Sequence, residues 1–256
     1  SGVITASGTS SFAITIVGDD ITLDQISTYT GAITITAAGA GSDVSITNAN
    51  LDINLGATTV GGNLVIETDN NNITDSGVLT VTGTSTFTTT EAAGDITLDS
   101  ISSFTGAVSL NTAAGAGNDA SLINAAIALD LGASTVGGTY TVETNAGSIT
   151  DSGVLTITGA SSFTTTIADD DITLDQVNLF TGAVSMVTNG ATGNISLTNA
   201  GAALNLGTIT TTLGGALAIE TNTGSITDSG VITASGTSSF AITIVVDDIT
   251  LDKIST

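Results

Sequence analysis

The chain has 256 residues, 41 % hydrophobic and only 3 % aromatic, with 31 glycines, and its 24 acidic side chains face one cation, Lys253, for a net charge of −23. It holds no Cys, His, Arg, Pro or Trp, which excludes disulfides, thiolate and imidazole metal sites, Ser-His-Asp or Cys-His catalysis and arginine clamps. So acidic a surface repels phosphate and offers no basic cluster to anionic lipid, which argues against nucleic acid and membrane surfaces as partners.

In chain order, the first signal is a long repeat. Ser1-Gly2-Val3-Ile4-Thr5 recurs as Ser76-Gly77-Val78-Leu79-Thr80, as Ser152-Gly153-Val154-Leu155-Thr156 and as Ser229-Gly230-Val231-Ile232-Thr233. The units are 1–75, 76–151, 152–228 and a partial 229–256, which reproduces 1–28 except for Gly18 against Val246 and Gln25 against Lys253. The expectation is one continuous array, excerpted from a longer one. Apolar runs are broken every few residues by Thr, Ser or Gly, so no membrane-inserted segment is expected.

Each unit divides into shorter modules behind Gly-containing turns. In the second unit these are 95–117, 118–147 and 148–170, the middle one the longest. Within them apolar and polar residues alternate: Ile96 and Leu98 flank Thr97, Val108 and Leu110 flank Ser109, Tyr140 and Val142 flank Thr141. This is the period of half-buried strands, and Val, Ile and Thr favour that state. The fold class predicted is all-β, a parallel β-solenoid of about ten coils, with three coils per repeat. Phe12, Phe87, Phe163 and Phe240 share one position, and Tyr29, Phe104 and Phe180 another. Copies three coils apart lie ~14 Å from one another and are expected as core fillers at a corner.

The acids are part of the pattern. Asp-Ile-Thr-Leu-Asp occurs at 20–24, 95–99, 171–175 and 248–252. Its ends, Asp20, Asp24, Asp95, Asp99, Asp171, Asp175, Asp248 and Asp252, are candidate ligands for Ca²⁺ held between neighbouring coils, because calcium favours clustered carboxylates. No cofactor is otherwise required. A second set is Asp75, Asp151 and Asp228 in Ile-Thr-Asp-Ser-Gly, and a third is Glu67, Glu143 and Glu220. All three sets read alternatively as solvated corners that discourage edge-to-edge aggregation. Gly39-Ala40-Gly41-Ser42-Asp43 and Gly115-Ala116-Gly117-Asn118-Asp119 look like pieces of a calcium-roll nonapeptide, but the apolar spacing after Asp and the nine-residue period are missing.

An active site departs from a repeat, whereas these acids recur with it, so no enzyme is expected. The residual enzymatic reading is a carboxylate-dependent glycosidase using Asp169, Asp170, Asp171 and Asp175, or Asp19, Asp20 and Asp24. Thr-x-Thr pairs such as Thr34/Thr36, Thr80/Thr82 and Thr156/Thr158 keep an ice- or glycan-binding face as a further alternative.

Together, Asp-Ile-Thr-Leu-Asp, Phe-Thr-Gly-Ala-Val-Ser (104–109), Val-Gly-Gly-Thr-Tyr-Thr-Val (136–142) and Ser-Ile-Thr-Asp-Ser-Gly-Val-Leu-Thr (148–156) resemble the repeats of giant bacterial surface proteins of the filamentous-haemagglutinin type. That resemblance implies secretion to the bacterial cell surface, a right-handed parallel β-helix, and service as an adhesin stalk or extracellular filament. The partners it implies are further copies, end to end or laterally, and a host or surface glycan or protein receptor outside this segment.

Overall fold

The computed structural model of the chain describes residues 2–48, 51–69, 71–91, 94–125, 128–201, 203–243 and 247–255; Ser1, which opens the first unit, lies outside them. Among the described residues there are 29 strands and no helix. Successive crossings alternate between a 14-stranded and a 15-stranded sheet, some crossings being split into two short strands such as Ile73–Asp75 and Leu79–Val81. Every pairing is parallel; for example, Ile21 pairs with Val44, Val44 with Leu64 and Leu64 with Ser85, so each coil returns the chain one strand further along the same sheet. The result is a two-sheet β-solenoid of about 11 turns.

The alternation read from sequence sets what is inside. In 96–98, Ile96 and Leu98 are fully buried while Thr97 is half-buried; Tyr140 and Val142 are buried and Thr141 is exposed. One continuous core of Ile, Leu, Val and aromatic side chains runs the length of the stack. Burying each such side chain is worth about 1.5–3 kcal/mol. The two sheets thus hold together although the only cationic side chain in the chain is Lys253.

The aromatic positions are core fillers, but they do more than occupy a corner. Phe12 and Tyr29 meet edge to face at 6.0 Å, Phe87 and Phe104 at 6.1 Å, and Phe163 and Phe180 at 6.0 Å. In each pair the partners come from opposite sheets. Tyr140 adds a further contact to Phe163 at 5.8 Å.

The repeat does not close after three coils. From Ile21 the chain crosses the core to Ile33, Val44, Ile53, Leu64, Ile73 and Ser85 before reaching the equivalent Ile96, which makes seven crossings or three and a half coils. Ile21 and Ile172 accordingly lie in the 14-stranded sheet, and Ile96 and Ile249 in the 15-stranded one. The 118–147 module is what hides this, because Ala120 already pairs with Tyr140 well inside it. That module therefore holds a whole coil and part of the next. Equivalent residues in successive repeats lie on opposite sheets, and return to the same sheet only after seven coils, ~34 Å at the strand spacing.

Corners are held by close backbone approach. A Cβ on Gly83 would lie 2.4 Å from Gly62 O, and one on Gly159 2.2 Å from Gly138 O. Both glycine N–H groups donate to those same carbonyls, at 2.9 and 3.0 Å. No side chain fits such stacked turns.

Candidate functional site

The candidate site is the set of acidic corners, and it is built around a bulge. Ile96–Phe104 is one nine-residue strand, as are Ile21–Tyr29 and Ile172–Phe180. Its pairing to the next coil slips between Leu98 and Ser102, where the strand takes a longer path than its neighbour does from Leu122 to Asn124. The same slip occurs between Leu23 and Ser27, and between Leu174 and Asn178. A bulge leaves backbone N–H groups without ladder partners.

The Ile-Thr-Asp acids cap those groups. Asp75 Oδ1 accepts the N–H of Asp99 at 3.0 Å and of Ser100 at 3.1 Å. Asp151 Oδ1 accepts those of Asp175 at 2.9 Å and Gln176 at 3.3 Å, while Asn178 Nδ2 donates to its Oδ2 at 2.6 Å. Asp228 accepts the N–H of Asp252 at 3.1 Å and of Lys253 at 2.7 Å. Asp75 and Asp151 are only 8 % and 6 % exposed. Asp75 Oδ2 is buried and has no hydrogen-bond partner among the described residues.

Burial holds the Asp75 carboxyl above the ordinary carboxylate range, against the N–H bonds from Ser100 and Asp99 and with help from the Asp99 charge. Burial does the same to Asp151, opposed chiefly by the Asn178 amide. Desolvation acts in that direction at Asp228 too, but the N–H groups of Asp252 and Lys253, together with the Lys253 ammonium, outweigh it and hold that carboxyl low. Each of these three acids accepts two N–H groups from the following coil. The signal for them was present in the spacing: each precedes the acid whose N–H it caps by 24 residues, one coil.

The first acid of each Asp-Ile-Thr-Leu-Asp motif belongs to a different column. Asp20 Oδ1 accepts the N–H of Asp43 at 2.9 Å, and Asp43 in turn accepts that of Asn63 at 2.7 Å. On the other sheet the column runs Asp52, Asn72, Asp95, Asp119, Thr139, each side chain accepting the next N–H at 2.7–3.0 Å. Asp171 accepts the N–H of Asn194 at 2.7 Å, and Asn194 that of Ala216 at 2.8 Å. Asp248 receives its place from Ser225 Oγ, which accepts its N–H at 3.2 Å. A short acceptor just before the first core residue of a strand therefore bonds one coil to the next.

The second acids, Asp24, Asp99 and Asp175, are exposed on the bulges, and Asp252 is exposed between the strands Ile249–Thr250 and Ile254–Ser255. Asp24 and Asp175 accept only weak bonds from the neighbouring Gln25 and Gln176 amides, at 3.4 and 3.5 Å. The motif's two ends lie ~13 Å apart along an extended strand and do not converge. Within the columns of the first acids, Asp20 with Asp43, and Asp95 with Asp119, place carboxylates on successive coils. Each pair brings two carboxylates, each with one oxygen already bonded, whereas calcium takes about six to eight oxygens. Among the described residues no group of three or more acids is placed to hold a metal ion. Calcium at either pair would need further oxygens from backbone carbonyls, Asn side chains or water.

Of the glycosidase candidates, Asp20, Asp169, Asp170 and Asp171 have carboxylates bonded to backbone N–H groups of a neighbouring coil. Asp169 Oδ1 accepts the N–H of Ala191 and Thr192 at 2.8 and 2.9 Å, and Asp170 Oδ2 that of Gly147 at 2.8 Å. With Asp171 bonded to Asn194, three consecutive acids clamp backbones above and below. Two surface depressions, under Asp24 and beside Glu220, hold about 150 and 100 Å³, less than a small-molecule site of roughly 300 Å³ or more. Glu67 and Glu143 are half-buried; Glu220 is exposed and accepts the Thr243 hydroxyl at 2.9 Å. Thr36, Thr59 and Thr80 stand in register, with Ser103 next, but Gly56 interrupts the row at Thr34.

The model of a family described as repeats of unknown function (DUF5649) matches residues 41–111, 117–187 and 192–254. The chain belongs to this family. No curated protein and no solved structure matches it. The three DUF5649 matches begin at 41, 117 and 192, in step with the opening motif. The first core strands of the three matches, Val44–Asn48, Ala120–Asn124 and Ile195–Asn199, accordingly fall on alternate sheets, half a turn out of phase from one match to the next.

Proposed function

We propose that the chain is a load-bearing shaft segment of a long secreted bacterial surface protein, an adhesin stalk or extracellular filament of the filamentous-haemagglutinin type, without enzymatic activity of its own. The observation that supports this reading is the use of the polar side chains. The Asp, Asn and Ser columns and the Ile-Thr-Asp acids bond one coil to the next, so polar chemistry is spent along the axis rather than gathered at a point. In such a stack each coil depends only on its neighbours, and length grows without enlarging the core. A receptor-binding element belongs elsewhere in the assembly, and further copies continue or flank the shaft.

The test is electron microscopy of the secreted, surface-attached material alongside immunolabelling with antibody to residues 1–256. Label distributed along thin extracellular rods supports the reading. Label confined to the cell interior, or to compact particles, overturns it.

A further inference from the structure

The polar columns repeat in every unit; Asn189-Gly190 does not. The corners equivalent to it read Ala38-Gly39 and Ala114-Gly115, and the chain contains no other Asn-Gly pair. Asn189 closes the strand Val184–Asn189 and is exposed. Its carbonyl accepts the N–H of Asp169 at 2.9 Å, and its Nδ2 donates to Thr166 O at 2.9 Å, so both ends of the residue are tied to the preceding coil.

Gly190 turns the corner at φ +93°, and a Cβ there would lie 2.4 Å from Asp169 N. The fold therefore demands glycine at this position, and that removes the side chain that ordinarily shields the following amide. The Gly190 N–H donates to Asn189's own Oδ1 at 2.9 Å. The amide nitrogen is thus held beside the oxygen of the preceding carboxamide, one bond from the Cγ it would attack, and proximity of this kind favours an intramolecular step.

We propose that Asn189 is a self-modifying site, at which the folded chain converts one carboxamide to an aspartyl or isoaspartyl residue. The Gly190 nitrogen bonds to Asn189 Cγ while the Cγ–Nδ2 bond breaks; ammonia leaves with the proton shed by the amide nitrogen. Water then opens the succinimide at either carbonyl. The product carboxylate cannot donate to Thr166 O, and it joins Asp169 and Asp170 at an already anionic corner. The isoaspartyl product also inserts a methylene between the strand and the turn that Asp169 clamps. The other two full repeats, with alanine in that place, lack this site.

The experiment is to incubate the folded chain in mildly alkaline buffer and map its peptides by mass spectrometry, with isoaspartyl methyl transfer as a second readout. Asn145 and Asn222, which follow the ends of the strands Tyr140–Thr144 and Leu217–Thr221, serve as internal references. The expected result is modification at Asn189 several-fold ahead of both, complete loss of it in Asn189→Ala, and faster hydrogen exchange at Asp169, Ala191 and Thr192 in the modified fraction. Asn189 intact after either reference has reacted, or modified only once the chain is unfolded in denaturant, overturns it.

Discussion

Replacing Asp151 with alanine removes the acceptor for three donors at once: the bulge N–H groups of Asp175 and Gln176 and the Asn178 amide. A buried donor left without a partner costs about 1–3 kcal/mol. Part of that is returned, because the carboxylate is itself held in a site that disfavours its charge. A net loss of about 2–4 kcal/mol is expected. The matched control is Asp175→Ala, which removes an exposed carboxylate whose side-chain bond is a 3.5 Å contact, and which should change stability by no more than about 0.5 kcal/mol. The assay is urea unfolding of both variants, with hydrogen exchange read at the Asp175 and Gln176 amides. Because repeat stacks open locally, the exchange should quicken at those two amides even where the global midpoint moves little. Equal effects from the two substitutions, or unchanged exchange at the bulge, would refute the capping role.

Three further outcomes follow from the same geometry. Asp75 and Asp151 have carboxyls raised by burial. Their protonated forms are therefore favoured in the fold, so their contribution is fully present below the ordinary carboxylate pKa of about 3.9 and lost as pH rises through the raised values. Acidification from neutral pH into that window should raise Tm, and Asp75→Asn, neutral throughout, should flatten the response; Asp228 opposes it with the other sign. Gly159→Ala drives a methyl to 2.2 Å from Gly138 O and should cost about 2 kcal/mol or more, whereas Gly117→Ala, with nothing within 4 Å, should be neutral within about 1 kcal/mol; thermal melts decide both. Calcium chelation should leave Tm unchanged, and a clear drop would restore a metal to the Asp20–Asp43 or Asp95–Asp119 pair.

Much of the architecture was legible because it rests on local alternation. Ile96-Thr97-Leu98 declares its buried face without knowing its neighbours, and the recurrence of Ser-Gly-Val-Ile/Leu-Thr declares the stack. The half-coil was not legible, since a Gly turn marks a corner without saying which sheet follows. Coils also differ in length: Ile96 closes on Ala120, but Ala120 closes sooner, on Tyr140, and the 118–147 module passes for one long turn. The acids mislead as a group for the same reason. Their shared motif suggests that Asp20, Asp95 and Asp171 line one corner, and the half-turn distributes them over opposite sheets. Their true partners, backbone N–H groups one coil away, carry no signature in side-chain identity. For the capping acids, only the constant 24-residue offset from Asp75 to Asp99, Asp151 to Asp175 and Asp228 to Asp252 betrays the arrangement.

The most direct test of the account is a set of spin-label distances, made simple by a chain without cysteine. Labels go on in pairs at Asp24→Cys, Asp99→Cys and Asp175→Cys, all exposed on equivalent bulges. A shaft with three-and-a-half-coil repeats places the first and third on one edge, ~34 Å apart along the axis, and the second on the opposite edge. The two shorter distances must then sum to clearly more than the longest. Three labels in a straight line, evenly spaced at ~14 Å, would contradict the half-turn and with it the bonding of coil to coil on which the shaft depends.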